Sequence, residues 1–164
     1  MKKLNIALVA HDGRKKELIE WVSYNAAKLK EHNLYATGTT GRLINEVCIK
    51  TIKNEGEHQI CRMDYPLKGK VTCLKSGPLG GDQQIGAMIA EGKIDILFFF
   101  CDNLIVQGHQ NDVSALTRLA SLYNIGFASD RTTADMIVTS PLFGSENYER
   151  IIPKAIKDYE NRQL

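Results

Sequence analysis

The chain has 164 residues, 43% apolar and 24% charged, with a net charge of +2. That length suits one domain with a substantial core, expected to span residues 1–164. The near-neutral balance argues against a nucleic-acid footprint, and the longest apolar run, residues 94–101 broken by Asp95, is too short to cross a bilayer. Four cysteines with no CxxC and no zinc spacing point to a reduced, cytoplasmic chain.

The opening "MKKLNIALVAHDGRKK" is basic and then apolar, as in a signal peptide. Its apolar part is short, no small-residue cleavage site follows, and His11-Asp12 interrupts it. Residues 4–10 are therefore expected to form a buried first strand. Leu18, Trp21, Val22, Ala26 and Leu29 recur at helical spacing over residues 15–31. A short strand at 34–37 breaks into a Gly/Thr turn, and the next helix carries Leu43, Ile44 and Val47. Residues 51–69 are polar, without a clear period, and form an extra insert. "KVTCL" reads as a strand, "QQIGAMIAEGK" as a helix stopped at Gly92, and "IDILFFF" as the most buried strand. "NDVSALTRLASLYNI" reads as a helix capped by Asn111 or Asp112. "GFAS" is a short strand, "RTTADMIVTS" a helix, and the tail weakly helical. This alternation predicts an α/β fold, a Rossmann-like doubly wound domain with a mainly parallel sheet and helices on both faces. Ligands of such sheets bind beyond the carboxyl ends of the strands. The chemistry is therefore expected in the loops "HDGRKK", "TGTTGR", "SGPLGGDQQ", "CDNLIVQGHQND" and "SDRTT".

"TGTTGR" follows a strand and opens a helix, so its amides and the hydroxyls of Thr37, Thr39 and Thr40 suit a phosphate. It matches neither a Walker A loop nor GxGxxG, and a plain helix start is the alternative. Lys15 adds a point charge to such a phosphate or lies on a solvated helix face. Asp12 and Asp82 each read as helix caps or as site carboxylates. Asp82 as a general base would need help at the developing oxyanion, and His109, between Asp102 and Asp112, is the natural helper. His32 and His58 lie in polar contexts and receive no role. No metal-ligand spacing is recognisable.

Taken together, "ALVAHD", "YATGTTG", "SGPLGGDQQIGAMIAEGKID" and "HQNDVSALTRLA" resemble the methylglyoxal synthase family, in order along nearly the whole chain. The resemblance implies a cytoplasmic carbon–oxygen lyase that converts dihydroxyacetone phosphate to methylglyoxal and phosphate, a glycolytic bypass. It implies no cofactor and no metal, a homohexamer, and inorganic phosphate as product and inhibitor, with no nucleic-acid or membrane partner. By motif, Asp82 matches the catalytic base and His109 the proton-shuttling histidine. Asp12, Asp102 and Asp112 match further carboxylates of the catalytic set. His11, Lys15, Thr37, Gly38, Thr39, Thr40, Ser76 and Gly77 match the substrate and phosphate set, and Arg162 an intersubunit arginine.

Three positions that are usually proline in that family are Asn103, Gly108 and Asn111 here, and "ASD" replaces "ATN" at residues 128–130. Two rival readings accompany the lyase. One is a phosphate-binding regulatory module, of the kind found at the end of carbamoyl phosphate synthetase. The other is an enzyme for a different phosphorylated carbonyl compound. The acidic cluster around His109 speaks for catalysis, because a pure phosphate binder needs no carboxylates.

Overall fold

The computed structural model describes residues 1–55, 58–106 and 108–162. Five strands form one parallel sheet: β1 (Asn5–Ala10), β2 (Asn33–Thr37), β5 (Val71–Leu74), β6 (Ile96–Phe100) and β7 (Gly126–Ala128). Their order is β5-β2-β1-β6-β7, and every pairing is parallel. The chain winds outward from β1 through β2 to β5, then returns to start β6 on the other side of β1. The winding reverses between β1 and β6, so the crevice beyond their carboxyl ends is where a ligand site belongs.

Alternation along the strands fills both faces. On one face Ile6, Leu8, Phe98 and Phe100 pack under α1 (Lys15–Leu29), α2 (Gly38–Asn45) and α5 (Arg131–Thr139), through Leu18, Trp21, Ile44 and Ala134. On the other, Ala7, Val9, Leu97 and Phe99 pack under α3 (Gly81–Ala90) and α4 (Gln110–Leu122), through Ile85, Ile89, Val113 and Leu116. All five residues of β6 are buried, which is why that strand reads as an unbroken apolar run. The Trp21 indole N–H donates to Asp135 Oδ1 at 2.8 Å, tying α1 to α5. A short α6 (Lys154–Glu160) follows, with Ile156 as its buried residue. Among the described residues, no helix is long and apolar enough to cross a membrane.

Three local readings change. The insert is a β-hairpin: β3 (Ile49–Glu55) pairs antiparallel with β4 (His58–Asp64), as a two-stranded sheet apart from the main one. α4 starts at Gln110 with His109 as its N-cap residue, ahead of Asn111 and Asp112. His32 is buried: its Nδ1 accepts the Leu4 N–H at 3.2 Å, and its ring meets Phe143 edge-on at 5.0 Å. Gly92 ends α3 as expected, at a φ of +71°.

Candidate active site

A cavity of about 250 Å3 opens beyond the carboxyl ends of β1, β2, β5 and β6. Each of the first three strands delivers its residues at or just beyond its carboxyl end. β1 leads to His11 and Asp12, β2 ends at Thr37, and β5 leads to Ser76 and Gly77. Asp82 and His109 come from the first turn of α3 and the N-cap of α4.

The centre is a carboxylate–imidazole pair. Asp82 is 2% exposed, and its Oδ2 lies 2.8 Å from His109 Nδ1. A carboxylate can only accept, so Nδ1 carries the proton of this bond and a neutral His109 presents Nε2 as an acceptor. Asp82 Oδ1 is buried without a hydrogen-bond partner. Few buried carboxylate oxygens stay unsatisfied unless a ligand, a water or a reacting group meets them.

The glycine-rich loop makes this approach possible. A Cβ on Gly77 would lie 3.0 and 3.1 Å from the Asp82 oxygens and 3.2 Å from His109 Cε1. A Cβ on Gly81 would collide with the Lys75 carbonyl. Gly80 caps α3 at a φ of +100°, a conformation that glycine alone adopts easily. Gln84 closes the loop: its Oε1 accepts the Lys75 N–H at 2.9 Å.

His11 faces the same cavity and is 5% exposed. Its backbone N–H donates to Phe100 O, and its Nδ1 accepts the Asp102 N–H at 2.9 Å. The neutral ring therefore carries its proton on Nε2, which is buried without a partner. Burial, and next the nearby His109, hold its pKa below the usual histidine value; Asp82 and Asp102 oppose this. His11 is thus an uncharged donor near neutral pH. Burial lowers the His32 pKa as well.

Both imidazoles must charge in acid when the chain unfolds. Their folded pKa values are depressed, so their contribution is fully present above the unfolded value of 6.5. It is lost as pH falls from there through the folded values. Melting temperature is expected to drop on acidification below about pH 6.5, and His32→Gln, which keeps an acceptor, to flatten that decline. An unchanged acid slope in the variant would place the titration elsewhere.

Beside this centre lies a polar cradle. Thr37 and Thr40 are buried, and with Thr39 they line the cavity at the opening turn of α2, where backbone amides lack helical partners. Gly38 contributes differently from expectation. Its N–H donates to the Lys75 carbonyl, and the position of its missing Cβ is filled by Ser76 Oγ. Lys15 opens α1, and its Nζ lies 2.6 Å from Asp12 Oδ1.

Of the other predicted carboxylates, Asp12 lines the cavity and Asp102 and Asp112 do not. The Asp12 side chain is 95% exposed, and the hydrogen bond from Lys15 holds its pKa below the usual value. Asp102 Oδ1 accepts the Leu104 N–H at 3.2 Å, and its Oδ2 packs over Gly13. Asp112 lines a separate apolar cleft of about 220 Å3 between α3 and α4, behind Asp82. Cys101, next to Asp102, is half-buried, and burial pushes its thiol up to about 11. Arg162 lies outside the cavity, stacked 3.7 Å over the Tyr159 ring.

The class is a doubly wound α/β domain with a buried carboxylate–imidazole pair beside a helix N-terminus at the winding reversal. The model of the MGS-like domain matches residues 17–129. The chain is 50% identical over 145 residues to methylglyoxal synthase of Maridesulfovibrio salexigens, covering 88% of each chain. It is 50% identical over 149 residues to that of Pseudoalteromonas atlantica, covering 91% of this chain and 96% of the relative. The crystal structure of methylglyoxal synthase from Elizabethkingia anophelis NUHP1 superposes with a TM-score of 0.79 at 42% identity, over 99% of this chain and 93% of that one. The chain belongs to the methylglyoxal synthase family, a family of lyases.

Proposed function

We propose that this chain converts dihydroxyacetone phosphate to methylglyoxal and inorganic phosphate. The observation that carries the reading is the buried Asp82–His109 pair, with Asp82 Oδ1 unpartnered, beside a Thr/Lys cradle in one cavity.

The phosphate is held by the opening turn of α2, Lys15 and the Ser76-Gly77 turn, which leaves the neutral carbon end toward Asp82. Asp82 Oδ1 removes a proton from the hydroxymethyl carbon, giving an enediolate. The Nε2–H of His11 donates to the oxyanion that develops on the former carbonyl. Nε2 of His109 accepts the hydroxyl proton as the electrons of the double bond shift and the C–O bond to phosphate breaks. The product is the enolate of methylglyoxal, its oxygen still facing the His11 N–H, and it takes up a proton on carbon to become the ketoaldehyde. Phosphate leaves from the cradle that held it and competes there with fresh substrate.

The direct experiment is methylglyoxal formation from dihydroxyacetone phosphate by the purified chain, with chelator added. Activity that survives the chelator is expected. No product above background at high enzyme would sink the reading in favour of a regulatory module.

The cradle has its own test. Lys15→Ala is expected to raise both the substrate KM and the phosphate inhibition constant by about tenfold or more, the scale of one charge-assisted hydrogen bond. Unchanged phosphate inhibition would make Lys15 a surface partner of Asp12 and nothing more.

Assembly belongs to the proposal as well, as a homohexamer in the cytoplasm. Asp12 and Arg162 are both exposed. Arg162 of one copy is then free to reach Asp12 of a neighbour, at the rim of the cavity.

A further inference from the structure

Among the described residues the β3–β4 hairpin shares no strand pairing with the five-stranded sheet. Ile49, at its base, packs against the core. Beyond the base, described side chains on both faces are exposed: Ile52 is 53% exposed, Ile60 48% and Met63 59%. An isolated two-stranded ribbon is marginal in water and needs a third strand or a packed face. The register is unbroken over seven pairs, from Ile49↔Asp64 to Glu55↔His58, so neither edge is blunted by a bulge.

The two edges differ. β3 carries Lys50 and Lys53, the residue type that discourages edge pairing. β4 has a single cation, Arg62, and no proline. We propose that the outer edge of β4 is the docking surface for a second copy of this chain, the two β4 strands pairing antiparallel about a two-fold axis at Cys61.

The sequence is self-complementary in that arrangement. Cys61 faces its counterpart, and Arg62 faces Ile60 of the other copy rather than a cation. Because Ile52 lies across from Cys61 within each hairpin, the four strands carry one apolar row, Ile52–Cys61–Cys61–Ile52. Charge does not oppose the contact. Residues 49–64 hold Lys50, Lys53 and Arg62 against Glu55, Glu57 and Asp64, a balance of zero. The surface lies in the insert, so it is distinct from the contact proposed for Arg162.

Cys61, a free and exposed thiol, reports on the geometry. Opposed residues of antiparallel strands have Cα atoms about 4.5–5.5 Å apart, within the span a disulfide accepts. Treating the intact protein at low concentration with diamide, which takes up two electrons and two protons as two thiols join, should link two chains. Peptide mapping should place the link at Cys61–Cys61. Two variants test assembly directly by sedimentation. One replaces residues 50–63 by a short Gly-Ser bridge between the paired Ile49 and Asp64. The other is Cys61→Lys, which opposes two cations at the axis and spares the fold of the hairpin. Each is expected to halve the mass of the assembled species while methylglyoxal formation per chain persists. A monomeric intact protein, a link that maps to Cys73 or fails to form, or an unchanged mass in Cys61→Lys would overturn the proposal. Those outcomes are read from mass and linkage alone, so they are independent of whether the proposed reaction is observed.

Discussion

Asp82→Asn is expected to lower kcat by about 100- to 10,000-fold, the range for removal of a positioned general base. Asparagine keeps the size and planarity of the side chain. Its carbonyl can still accept the His109 Nδ1–H that now binds Asp82 Oδ2 at 2.8 Å. The pair therefore keeps its shape and loses its base. The cradle does not involve this carboxylate, so the phosphate inhibition constant should hold, and the loss should fall on kcat. Exchange of the hydroxymethyl proton with deuterated solvent, followed by NMR, isolates the first step and should fall in parallel. Near-normal exchange in the variant would move the base to another group.

Gly77→Ala is expected to cost about a hundredfold in kcat, because misplacement of a catalytic group by about 1 Å has that effect. The new methyl has no room. It would stand 3.0 Å from one Asp82 oxygen, 3.1 Å from the other and 3.2 Å from the His109 ring. Backbone strain is not the cause, since Gly77 is outside the left-handed region. The proper control is Gly108→Ala, in the loop just before His109. There a Cβ meets nothing within 4 Å, so activity should change little. If both variants behave alike, the effect of Gly77 is not steric exclusion at the pair.

The sheet and its winding were legible because five short apolar runs alternate with helical stripes, and each run was long enough to show its period. The Asp82 loop was legible because glycine and proline mark close backbone approach. The hairpin was not, because an insert exposed on both faces shows no in–out alternation of apolar and polar residues. The carboxylates show another limit of sequence. Asp12 and Asp102 follow strand ends and Asp112 lies in the first turn of α4, but proximity in sequence does not fix where an oxygen points. One pairs outward with Lys15, one closes its own turn onto Leu104, and one faces the cleft between α3 and α4. The protonated nitrogen of His11 was out of reach for the same reason. It depends on a single backbone amide, that of Asp102, which lies 91 residues along the chain. His32 received no role because its neighbours in sequence are polar, whereas in the fold it is buried against Phe143.

The half-buried thiol of Cys101 bears on durability. A 1,2-dicarbonyl condenses with thiolates and guanidinium groups, and the proposed product is released within a few ångströms of whatever surrounds it. A thiol whose pKa is pushed up to about 11 stays protonated near neutrality and is a poor nucleophile. No arginine lines the cavity among the described residues; the proposed anion-binding role is assigned to threonines, amides and one lysine, whose amine is engaged with Asp12. Among the described residues the cavity lining of this chain thus holds neither a thiol nor a guanidinium with which that electrophile could condense.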